Sequence, residues 1–155
     1  MGLQGERSAG ASGNNKTKKK SILSESNKFI IMYTNADSLL NKRQDLLYHI
    51  DSAEIKPKII AICEVIPKIH MSILQSEFSL PGYNLVSNIG EDNVYNNRGI
   101  LIYIDEKIDS ALVELKTQFK EFLAIKISNY SDLKQDLLLV VIYRSPNSEQ
   151  ENNLN

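Results

Sequence analysis

Apolar residues fall into short runs separated by polar segments, and the first three runs predict a strand, a helix and a second strand. Residues 29–34 are apolar almost throughout, which is typical of a central strand buried on both faces. Residues 39–53 repeat leucine and isoleucine at helical spacing, with charged side chains opposite, and predict an amphipathic α-helix. Residues 59–63 are apolar in succession and predict a buried strand that ends abruptly at Glu64.

The remaining apolar runs predict mostly strands. We predict four further strands: one begins at Tyr83, and the other three cover residues 99–104, 122–127 and 137–143. The last two flank a polar loop, an arrangement typical of a β-hairpin. The pattern over 69–78 is weakly helical, and residues 88–97 are expected to form a polar loop.

The first strand, the helix and the second strand form a βαβ unit, whose parallel strands end at the same edge of a sheet. This connectivity places Asn35, which ends the first strand, near Glu64, which ends the second. Between them, Asp37 or Ser38 is expected to cap the first free N–H groups of the helix. A carboxylate beside a buried strand needs a partner, and ligand sites of open α/β sheets form beyond such strand ends. We therefore expect Glu64 to hold a divalent cation at the mouth of a cleft.

The two ends of the chain lack the pattern of a folded domain. Residues 1–27 are rich in Gly, Ser, Asn and Lys and are predicted to be disordered, and residues 149–155 form a polar tail. Residues 1–28 carry a net charge of +4, whereas the remainder carries −5. The basic cluster 16–20 fits nuclear localisation or attraction to nucleic-acid phosphates, although a solvated tail is the commoner reason for so short a run.

Composition favours an intracellular protein. Cys63 is the single cysteine, which excludes an intramolecular disulfide and is typical of a small core residue in a reducing compartment. No apolar run approaches the roughly 20 residues that span a bilayer, and the N-terminus lacks the apolar segment of a secretory signal. We expect no membrane partner, and the basic cluster leaves a nuclear location open.

Four short motifs follow one another at predicted strand ends, and together they resemble the endonuclease/exonuclease/phosphatase superfamily. They are Asn35-Ala36-Asp37-Ser38-Leu39-Leu40-Asn41-Lys42, Ile62-Cys63-Glu64, Arg98-Gly99-Ile100-Leu101-Ile102-Tyr103 and Val141-Ile142-Tyr143-Arg144-Ser145-Pro146-Asn147. The Asn-x-x-Ser-Leu-x-x-Lys opening is similar to the endonuclease domain of non-LTR (LINE-type) retrotransposons. The resemblance covers about residues 28–148, which are expected to be a partial domain of this type, incomplete at the C-terminus.

The resemblance implies a two-layer α/β sandwich that hydrolyses phosphodiester or phosphomonoester bonds with Mg²⁺ or Mn²⁺. On this basis Glu64 is the expected metal ligand, Asn35 an amide that positions the metal-bound groups or the phosphate, and Tyr143 a hydroxyl near the scissile phosphate. Arg144 and Asn147 match the last motif and are expected to flank the substrate. DNA is the implied partner, and no small-molecule cofactor is expected.

Two motifs of the superfamily are missing. Members carry a later Asp-x-Asn motif and a final Asp-His pair, and neither occurs in these 155 residues. The two histidines, His49 on the polar side of the helix and His70 after Glu64, do not stand where the family's catalytic histidine belongs. We therefore expect an N-terminal fragment or a degenerate transposon copy that is inactive or nearly so, since general-base catalysis typically contributes about 10²–10⁴-fold.

The sequence leaves alternatives open for the whole chain and for single residues. The chain is alternatively a non-catalytic, transposon-derived remnant with an exposed sheet edge, or a phosphatase-type member of the same superfamily. Tyr143 also fits a strand aromatic that packs its ring. Arg98 fits a contact with phosphate, although a lone arginine before a strand is more often solvent-facing. Glu91 and Asp92 lack the alternating ligand spacing of a calcium loop and are expected to be solvated.

Overall fold

The computed structural model describes residues 28–67, 75–90, 98–128, 130 and 135–144. The elements in these ranges are β1 (Ile31–Asn35), α1 (Leu39–Ser52), β2 (Ile59–Cys63), a 3₁₀-helix (Gln75–Phe78), β3 (Tyr83–Ser87), β4 (Ile100–Asp105), β5 (Asp109–Leu112), β6 (Glu121–Ser128) and β7 (Leu137–Tyr143). The predicted disordered segment 1–27, the polar tail 149–155 and the acidic pair at 91–92 lie outside the described residues.

The strands form two sheets. The four-stranded sheet has the order β1-β2-β4-β3, and the three-stranded sheet has the order β5-β6-β7. Strands β1 and β2 are parallel, with Asn35 opposite Cys63, and all other neighbours are antiparallel. The predicted βαβ unit and the predicted hairpin of the last two strands are therefore both confirmed.

Strand β1 lies at a sheet edge, and the prediction of a central strand is wrong. Within the described part of the chain β1 pairs only with β2. Ile31 and Tyr33 are 41% and 60% exposed, while Met32, between them, packs against the core beneath α1. A continuous apolar run is typical of a strand that is shielded from water, but it does not show how many strands pair with it in the sheet.

Two apolar clusters cover opposite faces of the four-stranded sheet. One joins Ile60 and Ile62 of β2 to Leu39 and Ile50 of α1. The other lies between the sheets and combines alternate residues of β2, β4, β6 and β7; Cys63 belongs to it and is fully buried, as predicted. The protein is a mixed α/β fold of two sheets and one α-helix in the described ranges, and its central strands β2 and β4 have apolar neighbours on both faces.

The remaining elements agree with the sequence pattern in part. The helix ends at Ser52, one residue before the predicted end, and the described portion of the weakly helical segment 69–78 forms a 3₁₀-helix. Strand β5 is not predicted, because its four residues are all exposed and carry no apolar alternation. No helix in the described ranges is long and apolar enough to cross a membrane.

Candidate functional site

The candidate site lies where β1 and β2 end side by side. The Ala36 N–H donates to the carbonyl of Cys63 at 2.9 Å, and the Ser38 N–H donates to the carbonyl of Glu64 at 2.9 Å. The Leu39 N–H, at the start of α1, donates to the carbonyl of Val65 at 2.8 Å. These bonds attach the start of the helix to the segment after β2, and they fix the distance between the two strand ends.

Ser38, one of the two residues predicted to cap α1, does not form a side-chain cap. Ser38 occupies the N-cap position, but its side chain makes no capping hydrogen bond. Its backbone φ is +82°, outside the extended region from which an N-cap hydroxyl ordinarily reaches the first turn. The backbone carbonyls after β2 take the place of the cap, and this arrangement is set by the tertiary structure rather than by residue type.

Three donors converge on the carboxylate of Glu64. The Asn35 Nδ2 group donates to Oε1 at 2.5 Å, and the Tyr143 hydroxyl donates to the same oxygen at 2.9 Å. Arg98 Nη2 lies 3.0 Å from Oε2, and the Glu64 side chain is 15% exposed. The predicted proximity of Asn35 and Glu64 is confirmed, and Tyr143 reaches the same carboxylate from the end of β7 in the second sheet.

Arg98 is part of the site, and its prediction as a solvent-facing residue is wrong. Its side chain is 15% exposed, and Nη2 also lies 2.6 Å from Oδ1 of Asp37. Its Nε–H donates to the carbonyl of Ile66 at 3.0 Å. The position of Arg98 before a strand gave no sign of this burial, because the partners come from other segments of the chain.

Glu121, the first residue of β6, is a further site residue that was not predicted from the sequence. Its side chain is buried, and Oε2 accepts the backbone N–H groups of Arg98 at 3.0 Å and Gly99 at 3.2 Å. Burial raises the pKa of Glu121, although the two N–H groups and the charge of Arg98 lower it in part. A charged residue at the start of an apolar strand was the available signal.

The site has an excess of negative charge. Asp37, Glu64 and Glu121 surround Arg98, so the four groups carry a formal charge of −2 when all are ionised. Burial, followed by the hydrogen bond to Glu64, raises the pKa of Tyr143 to about 12. The hydroxyl is therefore protonated at neutral pH and acts as a donor.

The backbone is strained at the same place. Asp37, Ser38 and Glu64 have φ values of +44°, +82° and +54°, and they are the non-glycine residues with positive φ in the described ranges. Such conformations cost roughly 1–3 kcal/mol each and persist when the surroundings impose them. Here the surroundings include the hydrogen bonds from the Ser38 and Leu39 N–H groups to the carbonyls of Glu64 and Val65.

A groove of about 230 Å³ adjoins the site between β1 and α1. Asn35 lines it together with Lys42 and His49 of the helix, and Met32 and Leu46 supply apolar surface. Asn35 and Lys42, the first and last residues of the Asn-x-x-Ser-Leu-x-x-Lys motif, thus line one groove.

The other predicted site residues are less informative. Arg144 is exposed directly after β7, and Asn147 and His70 lie outside the described residues. Among the residues that the structure describes, no group of three or more His, Cys, Asp or Glu side chains is placed to hold a metal ion.

Known proteins give no family for this chain. The sequence matches no model of a known protein family, and a search of curated proteins finds no relative. The function is therefore inferred from the residues and their geometry.

Proposed function

We propose that this site is the cation- and phosphate-binding part of a metal-dependent phosphodiesterase of the endonuclease/exonuclease/phosphatase type, with DNA as substrate. The observation that carries the proposal is the convergence of Asn35, Arg98 and Tyr143 on the carboxylate of Glu64. Each of the four motifs behind the resemblance contributes one of these residues. Motifs that are far apart in sequence and meet at one carboxylate support a shared chemical role.

The carboxylate of Glu64 can supply one oxygen ligand to Mg²⁺ or Mn²⁺. An ionised carboxylate has about four lone-pair positions, of which Asn35, Tyr143 and Arg98 use three, and the remaining one is on Oε2. Mg²⁺ usually takes one or two carboxylates and completes its shell with water and substrate phosphate oxygens. When bound, the ion would neutralise charge on the phosphate ester.

The neighbouring donors suit a phosphate ester. Arg98 carries a guanidinium, which binds phosphate oxygens with charge-assisted hydrogen bonds. Asn35 is a neutral amide at the groove, so it donates without adding the negative charge that would repel the substrate. Lys42 adds a cation to that groove, which the carboxylate-bearing Asp45 also lines. DNA is proposed as the substrate because these residues match the retroelement branch of the superfamily.

Tyr143 acts as a hydroxyl donor and not as a base. With its pKa raised to about 12, it keeps its proton at neutral pH and holds Oε1 of Glu64 in place. No histidine in the described ranges contacts Glu64; His49 lies exposed on α1. We therefore propose that the chain binds the cation and the phosphate ester, and that hydrolysis by these 155 residues is slow or absent.

A magnesium titration followed by NMR tests the proposal. We expect Mg²⁺ to shift the side-chain amide signals of Asn35 and the backbone amide of Glu64 before other signals. Glu64→Gln should remove these shifts, whereas Glu54→Gln, at an exposed glutamate after α1, should leave them unchanged. Shifts that arise first elsewhere, or that survive Glu64→Gln, would show that the proposed cation site is wrong.

A plasmid assay tests the reaction itself. We expect little or no nicking of supercoiled plasmid in the presence of Mg²⁺. Nicking that disappears in Glu64→Gln would show an active nuclease and would overturn the expectation of low activity. A chain that binds neither Mg²⁺ nor DNA would instead favour the non-catalytic alternative, in which the ionic network only links the two sheets.

A further inference from the structure

We infer that Glu121 is a positioning residue, whose buried carboxylate fixes the backbone of Arg98 and Gly99 and so directs the Arg98 guanidinium at Glu64 and Asp37. The inference deepens the proposed function, and its phosphate measurement rests on that function. It depends on contacts that link the start of β6, in one sheet, to the entrance of β4, in the other.

Glu121 stands where the strand pattern calls for an apolar residue. It lies on the face of β6 that Leu123 and Ile125 turn toward the cluster between the sheets. Its side chain is about 9% exposed, and a carboxylate so deeply buried is costly unless it is hydrogen-bonded. Hydrogen bonds from two backbone N–H groups offset this cost. The two groups belong to Arg98, which pairs with Glu64, and to Gly99.

Arg98 is held at several points along its length. Its backbone N–H donates to Glu121, its carbonyl accepts the Ile66 N–H at 2.9 Å, and its Nε–H donates to the Ile66 carbonyl at 3.0 Å. With these atoms fixed, Nη2 is brought to both Asp37 and Glu64. The direction of the guanidinium thus follows from where the backbone of Arg98 is placed.

The backbone has little freedom to move to another position. Gly99 has a φ of +76°, and a Cβ there would lie 2.9 Å from Cγ1 of Ile89 and 3.4 Å from Cγ1 of Ile66. The close packing of this turn requires glycine, and the carboxylate of Glu121 is the polar group that anchors it from the opposite sheet.

The register of the second sheet places Glu121 and Tyr143 together. They are directly opposite each other on β6 and β7, so their side chains stand on one face. Tyr143 contacts Glu64, and Glu121 holds the backbone of Arg98. One end of this two-strand pair therefore supports both sides of the Glu64–Arg98 ion pair.

The first measurement uses the metal-free protein. In Glu121→Ala we expect the backbone amides of Arg98 and Gly99 to exchange with solvent at least about tenfold faster, since each loses a hydrogen bond to a charged group, worth about 1.5–3 kcal/mol, or about tenfold and more. The Arg98 Nε–H, which donates to the Ile66 carbonyl, should also exchange faster once this backbone is released. The side-chain amide signals of Asn35 should shift as well, because Asn35 and Arg98 share the carboxylate of Glu64. Glu121→Gln keeps an acceptor oxygen for both N–H groups and should retain the native signals.

The second measurement separates positioning from general loosening. Compared with Glu121→Gln, which removes the same negative charge, Glu121→Ala should bind Mg²⁺ alone as tightly or more tightly, because a displaced guanidinium opposes the cation less. Dimethyl phosphate in saturating Mg²⁺ should bind about tenfold more weakly, because it loses charge-assisted hydrogen bonds from Arg98. A loosened fold would weaken both ligands together, and that result would overturn the inference.

Controls keep the two proposals separate. Glu114→Ala, at an exposed glutamate, should behave as the wild type in every measurement. Should Glu121→Ala not fold, Glu121→Asp, which withdraws the carboxylate by one methylene, takes its place with the same expectations. If the wild type binds neither Mg²⁺ nor dimethyl phosphate, the proposed function fails. Independently of that result, unchanged Arg98 exchange and Asn35 signals in Glu121→Ala would refute the positioning role.

Discussion

Charged side chains are held differently at the two ends of β2. Just before the strand, Lys58 lies 2.7 Å from Asp105, and both side chains are largely buried, at 24% and 19% exposed. Just after the strand, Glu64 lies in a network of three carboxylates around Arg98. The first end is a neutral pair within one sheet, whereas the second draws on both sheets and has a formal charge of −2.

The difference separates a charge-balanced ion pair from a network with excess negative charge, at which we propose that a cation binds. At the Lys58 end, each charge has a matching partner, and Asp105 gains a backbone N–H from Lys107. At the Glu64 end, negative charge exceeds positive charge and the backbone is strained at Asp37 and Glu64. Such a site is electrostatically favourable for an added cation, and four experiments test the contrast.

The largest effect is expected for Arg98→Met. Removing the guanidinium leaves the partly buried Glu64 without its cation, and breaking such a pair costs about 3 kcal/mol of the free energy of unfolding. Mg²⁺ should restore about 1–2 kcal/mol at concentrations well above its Kd, and more than it adds to the wild type, because it supplies the missing positive charge. Urea unfolding with and without Mg²⁺ measures both effects. Equal Mg²⁺ effects on the variant and the wild type would contradict a charge-deficient site.

Gly99→Ala should destabilise the Glu64 end of β2 through steric effects alone, since it removes no charge. The new Cβ meets Ile89 at 2.9 Å and the backbone φ of +76° disfavours any side chain. We expect a loss of about 2–3 kcal/mol in the free energy of unfolding. Gly82→Ala is the matched control: its φ is +81° but nothing lies within 4 Å of the new Cβ, so its cost should be smaller. Equal losses in both variants would show that packing against Ile89 contributes nothing.

Lys58→Met should weaken the opposite end by about 1–2 kcal/mol, because methionine keeps the aliphatic stem but removes the charge that pairs with Asp105. Mg²⁺ should restore less of this loss than of the Arg98 loss, since the variant leaves the single carboxylate of Asp105 without its partner, against three carboxylates at the Glu64 end. Chemical unfolding in parallel with the Arg98 variant makes the comparison. A Mg²⁺ rescue of similar size at both ends would remove the distinction between them.

The smallest effect is a pH dependence at Asp105. Burial raises its pKa, but the hydrogen bond and charge of Lys58 and the Lys107 N–H outweigh burial, and the net pKa is lowered. Because the folded state then binds this proton less readily than the unfolded state, the stabilisation is present above the unfolded pKa of about 3.9 and is lost as the pH falls through the folded pKa. The stability difference between wild type and Asp105→Asn should thus be constant above about pH 5 and shrink in acid. A stability difference that grows in acid would contradict a lowered pKa of Asp105 in the folded state.

Several features of the fold followed from local pattern. The five apolar residues of β2 and the seven of β7 were predicted at their observed bounds. Strand β2 is buried throughout, as its unbroken apolar run indicates, whereas Leu138, Val140 and Ile142 of β7 are exposed. The meeting of Asn35 and Glu64 followed from the βαβ connection, since parallel neighbours end at one edge. The roles of Asn35, Glu64 and Tyr143 in binding and catalysis stay predictions.

The errors share one cause. Strand β1 was placed in the centre of the sheet, Arg98 in solvent and a capping hydrogen bond on the side chain of Ser38, and Glu121 was not considered. Each of these features depends on which segment, distant in sequence, packs beside the residue in the folded protein. A residue's own type and its near neighbours in sequence do not carry that information.

The sequence by itself determined the apolar runs, the amphipathic helix and the βαβ crossover, since these depend on the spacing of apolar side chains and on short connections. Only the tertiary structure decided how the ion network is built. Arg98 is buried because Glu121 from the second sheet holds its backbone and because Asp37 and Glu64 accept its guanidinium. The cost of burying charge is offset by partners that are distant in sequence, so the geometry of the Glu64 site exists only once the two sheets have packed together.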